Sequence, residues 1–479
     1  MSTSRRFVTV LLAAGCTVVV PGRALASGFL TDQFGSDHGS AAQGNAYAVY
    51  FNPAAMAGAP STDITIDGVF AARSVTFNRS APLSPGGGGN GAANANNATY
   101  TSANTGQATL FNVLGAPFIG SVLDFGGSKF RLGIASYIPF GGQVSWDKRT
   151  EFSNYPTAPG AYDGPQRWAS IGAQTSSIYG TVAAAYRIEP LHLGIGASVS
   201  VIRTGVIDTR ARNTDGTDDV IAANGGLAEG RSYLDVSGVQ VGAGAGLYWE
   251  PSSKLHFGAS YTSSPNFGTM RLKGNFRELT GQAQAGQNPE TSRNVDLLQA
   301  YPDVVRVGAT WRLVPEAELR LDVTWQRWSQ FKNQCIVQSG APCDVDPNVT
   351  PTGSGSSDVV LNLPRNWKDT VRARLGGAYW VQPQTEVFGS FAFETSPVDD
   401  KDQDPLLFDS TRLYGTLGVR YAFTPHLFGS LAYTYVYFVP VTVTDSAYGQ
   451  YKALSNSPNE NGSYSQELYL FDAAVSYVF

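Results

Sequence analysis

The chain has 479 residues, of which 15% are charged, 42% hydrophobic and 12% aromatic, and a formal charge of -5. Soluble proteins carry about 25% charged residues, so a solvated surface of this size would be short of charge, and the mild acidity offers no basic face for nucleic acid. The 53 Gly, 23 Tyr and 25 Phe argue against a helical bundle, and no stretch after residue 20 reaches the roughly 18 apolar residues of a membrane helix. A chain that crosses a membrane by strands fits this composition best.

The first segment reads as an export signal. Arg5 and Arg6 precede an apolar run from Phe7 to Val20, and Ala24-Leu25-Ala26 supplies a small-residue cleavage site. Residues 1–26 are therefore expected to be removed, and loss of Arg5, Arg6 and Arg23 takes the charge from -5 to -8. Leu12 to Cys16 loosely resembles a lipid-attachment box, a reading that leaves Arg23 and the Ala-Leu-Ala site unused.

Residues 27–60 do not alternate. They run through Gly39-Ser40-Ala41-Ala42-Gln43-Gly44-Asn45-Ala46 to Asn52-Pro53-Ala54. Ahead of a barrel's first strand such a segment can dangle in the periplasm or fold back into the lumen as a plug, and its small side chains suit close packing inside.

Residues 61–479 carry period-2 alternation interrupted by a recurring turn. Pro190, Pro251, Pro315, Pro383 and Pro425 each lie between two alternating runs, and Gly126-Gly127 marks a sixth turn. Proline presets a turn's φ and cannot donate into a ladder, so these positions belong at tight hairpins. Long polar stretches lie between them, near residues 80–107, 140–166, 204–232, 266–300, 332–366, 396–410 and 442–465. Short connections alternating with long ones are the asymmetry of an outer-membrane barrel. Six turns and seven loops imply fourteen antiparallel strands, near 61–79, 107–119, 129–139, 167–187, 191–203, 233–249, 254–265, 302–313, 317–331, 367–381, 385–395, 411–423, 427–441 and 466–479. Their faces agree: Leu319, Leu321, Val323 and Trp325 alternate with Arg320, Asp322, Thr324 and Gln326. The apolar set should face lipid, because a lipid-facing Arg costs about 2–4 kcal/mol at mid-bilayer.

The final run places Tyr469, Phe471, Val475, Tyr477 and Phe479 on one face. It resembles the C-terminal signature read by the barrel-assembly machinery, an expected partner alongside outer-membrane lipid and lipopolysaccharide. A monomer is expected.

Several motifs together resemble the long-chain fatty-acid transporter family of the outer membrane (FadL type). They are a mature start at Ser27-Gly28-Phe29, Asn52-Pro53-Ala54 before strand one, Ile138-Pro139-Phe140-Gly141-Gly142 at the end of strand three, and Tyr301-Pro302. Trp325-Gln326-Arg327-Trp328, Asn366-Trp367-Lys368-Asp369-Thr370 and Glu394-Thr395-Ser396-Pro397 extend the likeness over the mature chain. The resemblance implies an N-terminal hatch in the lumen, with Phe29, Asn52, Pro53 and Ala54 as gate residues. It also implies a kinked third strand that opens the wall for sideways release of a hydrophobic ligand. Pro139, Phe140, Gly141 and Gly142 are the candidates for that opening, since Pro removes a ladder donor and Gly weakens a strand; a plain strand end is the other reading.

Family members that take fatty acids pair the head group with basic lumen residues. Arg306, Arg374 and Arg372 are the candidates here, although buried charges are normally paired and an odd-length turn at Pro383 would set Arg372 opposite Glu394. Cys335 and Cys343 lie close in a compartment that permits disulfides and have no nearby His, so a loop staple is expected rather than a metal site.

Other motifs carry no chemistry. Gly86, Gly88 and Gly91 have dinucleotide spacing without a βα unit, and Asp400, Asp402 and Asp404 begin a calcium loop that Pro405 and Thr411 fail to complete. No nucleophile elbow or phosphate loop occurs, so neither an enzyme nor a cofactor is expected. The expected function is passive uptake of hydrophobic compounds, fatty acids or aromatic hydrocarbons, with a porin for polar solutes as the rival.

Overall fold

The structure, a computed structural model, describes residues 33–80, 98–213, 217–222, 226–279, 290–345, 358–448 and 457–479. The export signal and Phe29 lie outside the described residues.

Fourteen antiparallel strands form the wall: β1 (Asp63–Arg79), β2 (Gly106–Asp124), β3 (Phe130–Ser145), β4 (Gly172–Ile188), β5 (Leu193–Arg212), β6 (Gly230–Ser252), β7 (Leu255–Thr262), β8 (Val304–Val314), β9 (Ala317–Gln326), β10 (Thr370–Gln382), β11 (Thr385–Glu394), β12 (Arg412–Ala422), β13 (Leu427–Phe438) and β14 (Gly462–Val478). Each pairs with the next, and β1 pairs with β14 from Asp63–Val478 to Arg79–Gly462, so the sheet closes on itself. Closure pairs the first strand with the last, as a hydrocarbon environment favours because it satisfies no backbone group.

The tight turns stand where the prolines place them, and three of the ladders slip register just before them, at Trp249/Ser252, Arg312/Val314 and Trp380/Gln382. The alternation also holds. Leu417 is 72% exposed and Val239 66% on the outside, whereas Arg306, on the inside, is 3% exposed. Outward Trp249, Trp311, Tyr379, Tyr421 and Phe423 ring the turn side, and Tyr433, Tyr437 and Phe393 ring the loop side, the aromatic girdles of a membrane barrel. Phe471, Val475, Tyr477 and Phe479 of the final run join this outer face.

Two of the stretches read as polar loops hold strands instead. Thr269–Leu279 pairs with the loop end of β6 and with Glu290–Ala300. Glu290–Ala300 pairs onward with Asn333–Gln338, which pairs with Val359–Pro364. These strands continue the sheet above the wall. Their short apolar runs, such as Val295-Asp296-Leu297 and Leu361-Asn362-Leu363, were diluted in sequence by polar flanks. Among the wall strands, β2, β3 and β5 also run further than their periodicity indicated, to Asp124, Ser145 and Arg212.

Candidate ligand pocket and wall gap

Residues 33–60 lie inside the ring. Asn52 organises them: its Oδ1 accepts from Ala54 N at 3.1 Å, while its Nδ2 donates to Ala41 O at 2.8 Å and to Leu247 O of β6 at 2.9 Å. Pro53 then opens a short 3-10 helix, Pro53–Gly58, where its missing N–H costs nothing. The wall is carved to fit. A Cβ at Gly258 would collide with the Ala41 carbonyl, one at Gly246 with the Asn52 side chain, and one at Gly196 with the backbone of Pro53 and Ala54. Part of the chain's high glycine content is thus the footprint of this segment on the inner wall.

Charge moors the segment on both sides. On β1, Asp67 Oδ2 accepts from Gly35 N at 2.7 Å and Tyr47 Oη at 3.0 Å, and Asp63 Oδ2 accepts from Ala46 N at 2.9 Å. Across the lumen Arg374 of β10 donates to Ser36 O at 2.8 Å and Gly39 O at 2.7 Å while pairing with Asp322 of β9 at 2.7 Å. Ser40 Oγ donates to the same Asp322, and His38 Nε2 stands 3.1 Å from Glu386 of β11. Burial holds the His38 imidazole below its ordinary pKa, against the pull of Glu386.

The wall has a gap beside this segment. β2 and β3 pair only from Asp124–Arg131 to Phe118–Tyr137. Above that point β2 keeps its ladder to β1 as far as Gly106, and β3 keeps its ladder to β4 after a register shift between Tyr137 and Phe140. The two edges meet again above the gap through Asn112 Nδ2 to Gln143 O at 3.0 Å, Thr109 Oγ1 to Asp147 at 2.7 Å and the backbone bond from Asp147 N to Thr109 O at 2.9 Å. Residues 113–117 and 138–142 therefore face each other without a ladder, and Pro139, Phe140, Gly141 and Gly142 fall within that stretch.

An apolar pocket borders the gap on the loop side. Gly142, Gln143 and Val144 of β3 form one wall. Aliphatic side chains from the loop strands form the opposite one: Leu297, Ile336, Leu361 and Leu363, with Leu406 and Leu407. Its lining among the described residues contains no aromatic ring. Among the described residues its charged lining is Arg73 of β1, which donates from Nε and Nη2 to Gln466 Oε1 at 2.9 and 2.6 Å, and Asp208 of β5.

The head-group candidates lie elsewhere. Arg306 sits 4.5 Å over the Tyr50 ring and donates to Thr262 Oγ1 at 3.2 Å. Arg374 moors the N-terminal segment, and Arg372 stands in register with Glu394. Arg372 and Arg374 border a separate, polar chamber with Ser36, Tyr414 and Asp472. Arg73 is not among the residues that the motifs single out; its sequence signal is the inward parity that it shares with Asp63, Thr65 and Asp67 on β1. The pocket's aliphatic half could not be found in loops read as polar. Cys335 and Cys343 are disulfide-bonded with Cα atoms 6.1 Å apart, beside the loop strands that line the pocket.

Residues 18–479 match the family described as outer membrane protein transport protein (OMPP1/FadL/TodX). The chain is 22% identical over 317 residues to the long-chain fatty acid transport protein of Escherichia coli K12, covering 64% of this chain and 65% of that one. It is 24% identical over 245 residues to a Neisseria meningitidis serogroup B protein named only as an outer membrane protein, covering 48% of each. The chain thus spans about half to two thirds of the length of these curated relatives. Among solved structures, a Pseudomonas aeruginosa FadL homologue superposes with a TM-score of 0.72 at 18% identity, over 95% of this chain and 99% of that one. The Pseudomonas putida toluene transporter TodX gives 0.59 at 14% identity, over 95% and 98%. These likenesses establish the fold.

Proposed function

The chain belongs to the outer membrane protein transport protein family (OMPP1/FadL/TodX), and from that premise we propose that this outer-membrane barrel carries hydrophobic small molecules inward by capture and lateral release. The observation that carries the reading is the contact between an apolar pocket and an unpaired stretch of wall, joined through Gly142 and Gln143. A ligand caught between the loop strands gains apolar burial at about 25 cal/mol per Å². It then moves down beside β3 and leaves between β2 and β3 into the bilayer, where its apolar surface stays out of water. The step requires no energy source, because each stage is downhill from water to lipid. The N-terminal segment acts as a hatch, with Asn52, Pro53 and Ala54 fixing its fold, and blocks direct passage to the periplasm.

The substrate class we favour is an amphiphile with a long acyl chain and an acidic head. The lining is aliphatic, and Arg73 supplies a cation at its edge. Such a ligand's carboxylate would compete with Gln466 for the guanidinium, a charge-assisted exchange that favours the anion. Replacing Arg73 with Ala should weaken binding of oleate roughly 10- to 100-fold, the equivalent of about 1.5–3 kcal/mol for a hydrogen bond to a charged group. Toluene binding should not change. Mass spectrometry of ligand extracted from the purified protein tests the class directly: an acidic lipid supports the reading, and a neutral aromatic would move Arg73 to a structural role.

A further inference from the structure

We propose that the register shift in β3 serves to turn Phe140 inward, where its ring closes the route from the apolar pocket to the wall gap against the posts Tyr301 and Trp328. The proposal rests on the lateral-release reading and names the side chain that controls the release.

Strand alternation carries the argument. From Phe130 onward the inward residues of β3 are odd-numbered: Arg131, Gly133, Ala135 and Tyr137 are buried. A regular strand would then send Phe140, three residues after Tyr137, out toward lipid. The ladder prevents this. Tyr137 pairs with Tyr179 and Phe140 with Ser177, so three steps on β3 answer two on β4. One extra residue is inserted at Ile138-Pro139, and inward parity becomes even-numbered: Gly142 and Val144 are buried, whereas Gln143 is half-buried and Ser145 exposed. Bulges re-aim side chains in this way, and Phe140 is 5% exposed as a result.

Phe140 lies two residues before pocket-lining Gly142, in the stretch of β3 that has no ladder to β2. Its ring centroid lies 4.8 Å from that of Tyr301, 6.1 Å from Trp328 and 6.3 Å from Tyr179. The posts are pinned by polar contacts: Tyr301 Oη is 3.2 Å from Thr175 Oγ1, a pocket residue, and Trp328 Nε1 donates to Gln326 at 2.8 Å. Phe140 has no polar atom and is held by packing alone. Its chain neighbours on the open side are Pro139, which has no N–H, and Gly141, which has no side chain, and β2 makes no ladder there. The ring is therefore the movable member of the group, and a ligand going from Gly142 toward residues 113–117 must displace it.

The test uses the full-length protein and an anthroyloxy-labelled stearate. Equilibrium binding is measured on purified protein, and stopped-flow transfer into the bilayer on protein reconstituted in vesicles. Phe140→Ala should speed transfer about three- to tenfold, the range set by losing aromatic contacts, with the dissociation constant of the pocket unchanged. Phe140→Trp should slow transfer by a similar factor, and Phe140→Leu, which keeps most of the packing, should fall between wild type and Ala. Unchanged transfer in the Ala and Trp variants, or a loss of affinity that accounts for the rate, would overturn the shutter. A control separates this from failure of the lateral route. With Ala116→Cys and Gly141→Cys joined by a short bifunctional thiol reagent, transfer should stop. If transfer continues across the bridged gap, lateral release and shutter are both wrong. If bridging stops it while the Phe140 variants behave as wild type, the shutter alone is wrong.

Discussion

Arg374 binds two backbone carbonyls and pairs with two carboxylates, Asp322 at 2.7 Å and Asp37 at 3.8 Å, so its removal unfastens Ser36, Gly39 and both carboxylates together. Leaving a buried carboxylate without its partner is costly, about 3–5 kcal/mol. Arg374→Ala should therefore loosen the hatch without opening the barrel. The expected signs are faster proteolytic release of the N-terminal segment and larger, noisier conductance in planar bilayers; protection and conductance equal to wild type would show that Arg374 does not hold it. Arg73 is the contrasting case, an inward Arg whose neighbour is a neutral amide on the rim of the greasy pocket. Alternation places Arg374 in the lumen, and the parity of β1 puts Arg73 there as well once its faces are compared. It could not distinguish their roles, because the role depends on what lies opposite in three dimensions. For Arg374 that is the backbone of residues 36–39, more than 300 positions away, and for Arg73 it is Gln466 on the last strand.

At the scale of elements, the loops are the part that reading by periodicity served least. The wall strands announce themselves because one lipid-facing side imposes a strict period over ten or more residues. The loop strands are short, and each buries only a few side chains, so Leu297, Ile336 and Leu361 were lost among Asp, Asn and Gln. The same region carries buried charge. Glu460, just before β14, is pushed up from its ordinary value of 4.5 to about 8, chiefly by burial, with Arg79 pulling the other way. Both of its carboxylate oxygens lack a hydrogen-bond partner among the described residues. The folded form thus binds the proton more tightly than the unfolded one. Its contribution to loop docking is full below about pH 4.5 and is lost as pH rises through about 8. Hydrogen exchange at residues 457–464 should accelerate over that window in the wild type, and Glu460→Gln should flatten the dependence. An equal pH dependence in the Gln variant would remove Glu460 from the explanation.

At the scale of the molecule, one closed wall does three jobs. Its outer face supplies lipid contact, which accounts for the low charge of the sequence, and its inner glycines and charges seat the N-terminal segment. The ladder broken between β2 and β3 is the place where, on the proposed reading, a sealed barrel becomes a sideways channel. The closed fourteen-strand ring was legible from turn spacing and alternation. The break was legible only as a proline beside two glycines, since a strand that ends and a strand that continues without its neighbour look alike in sequence. The central claim is that ligand leaves through this break, and the direct measurement is uptake of radiolabelled oleate by cells carrying the Ala116→Cys, Gly141→Cys variant, before and after bridging. The account predicts that bridging abolishes uptake and leaves oleate binding to the pocket intact. Uptake that persists at the unbridged rate would contradict it.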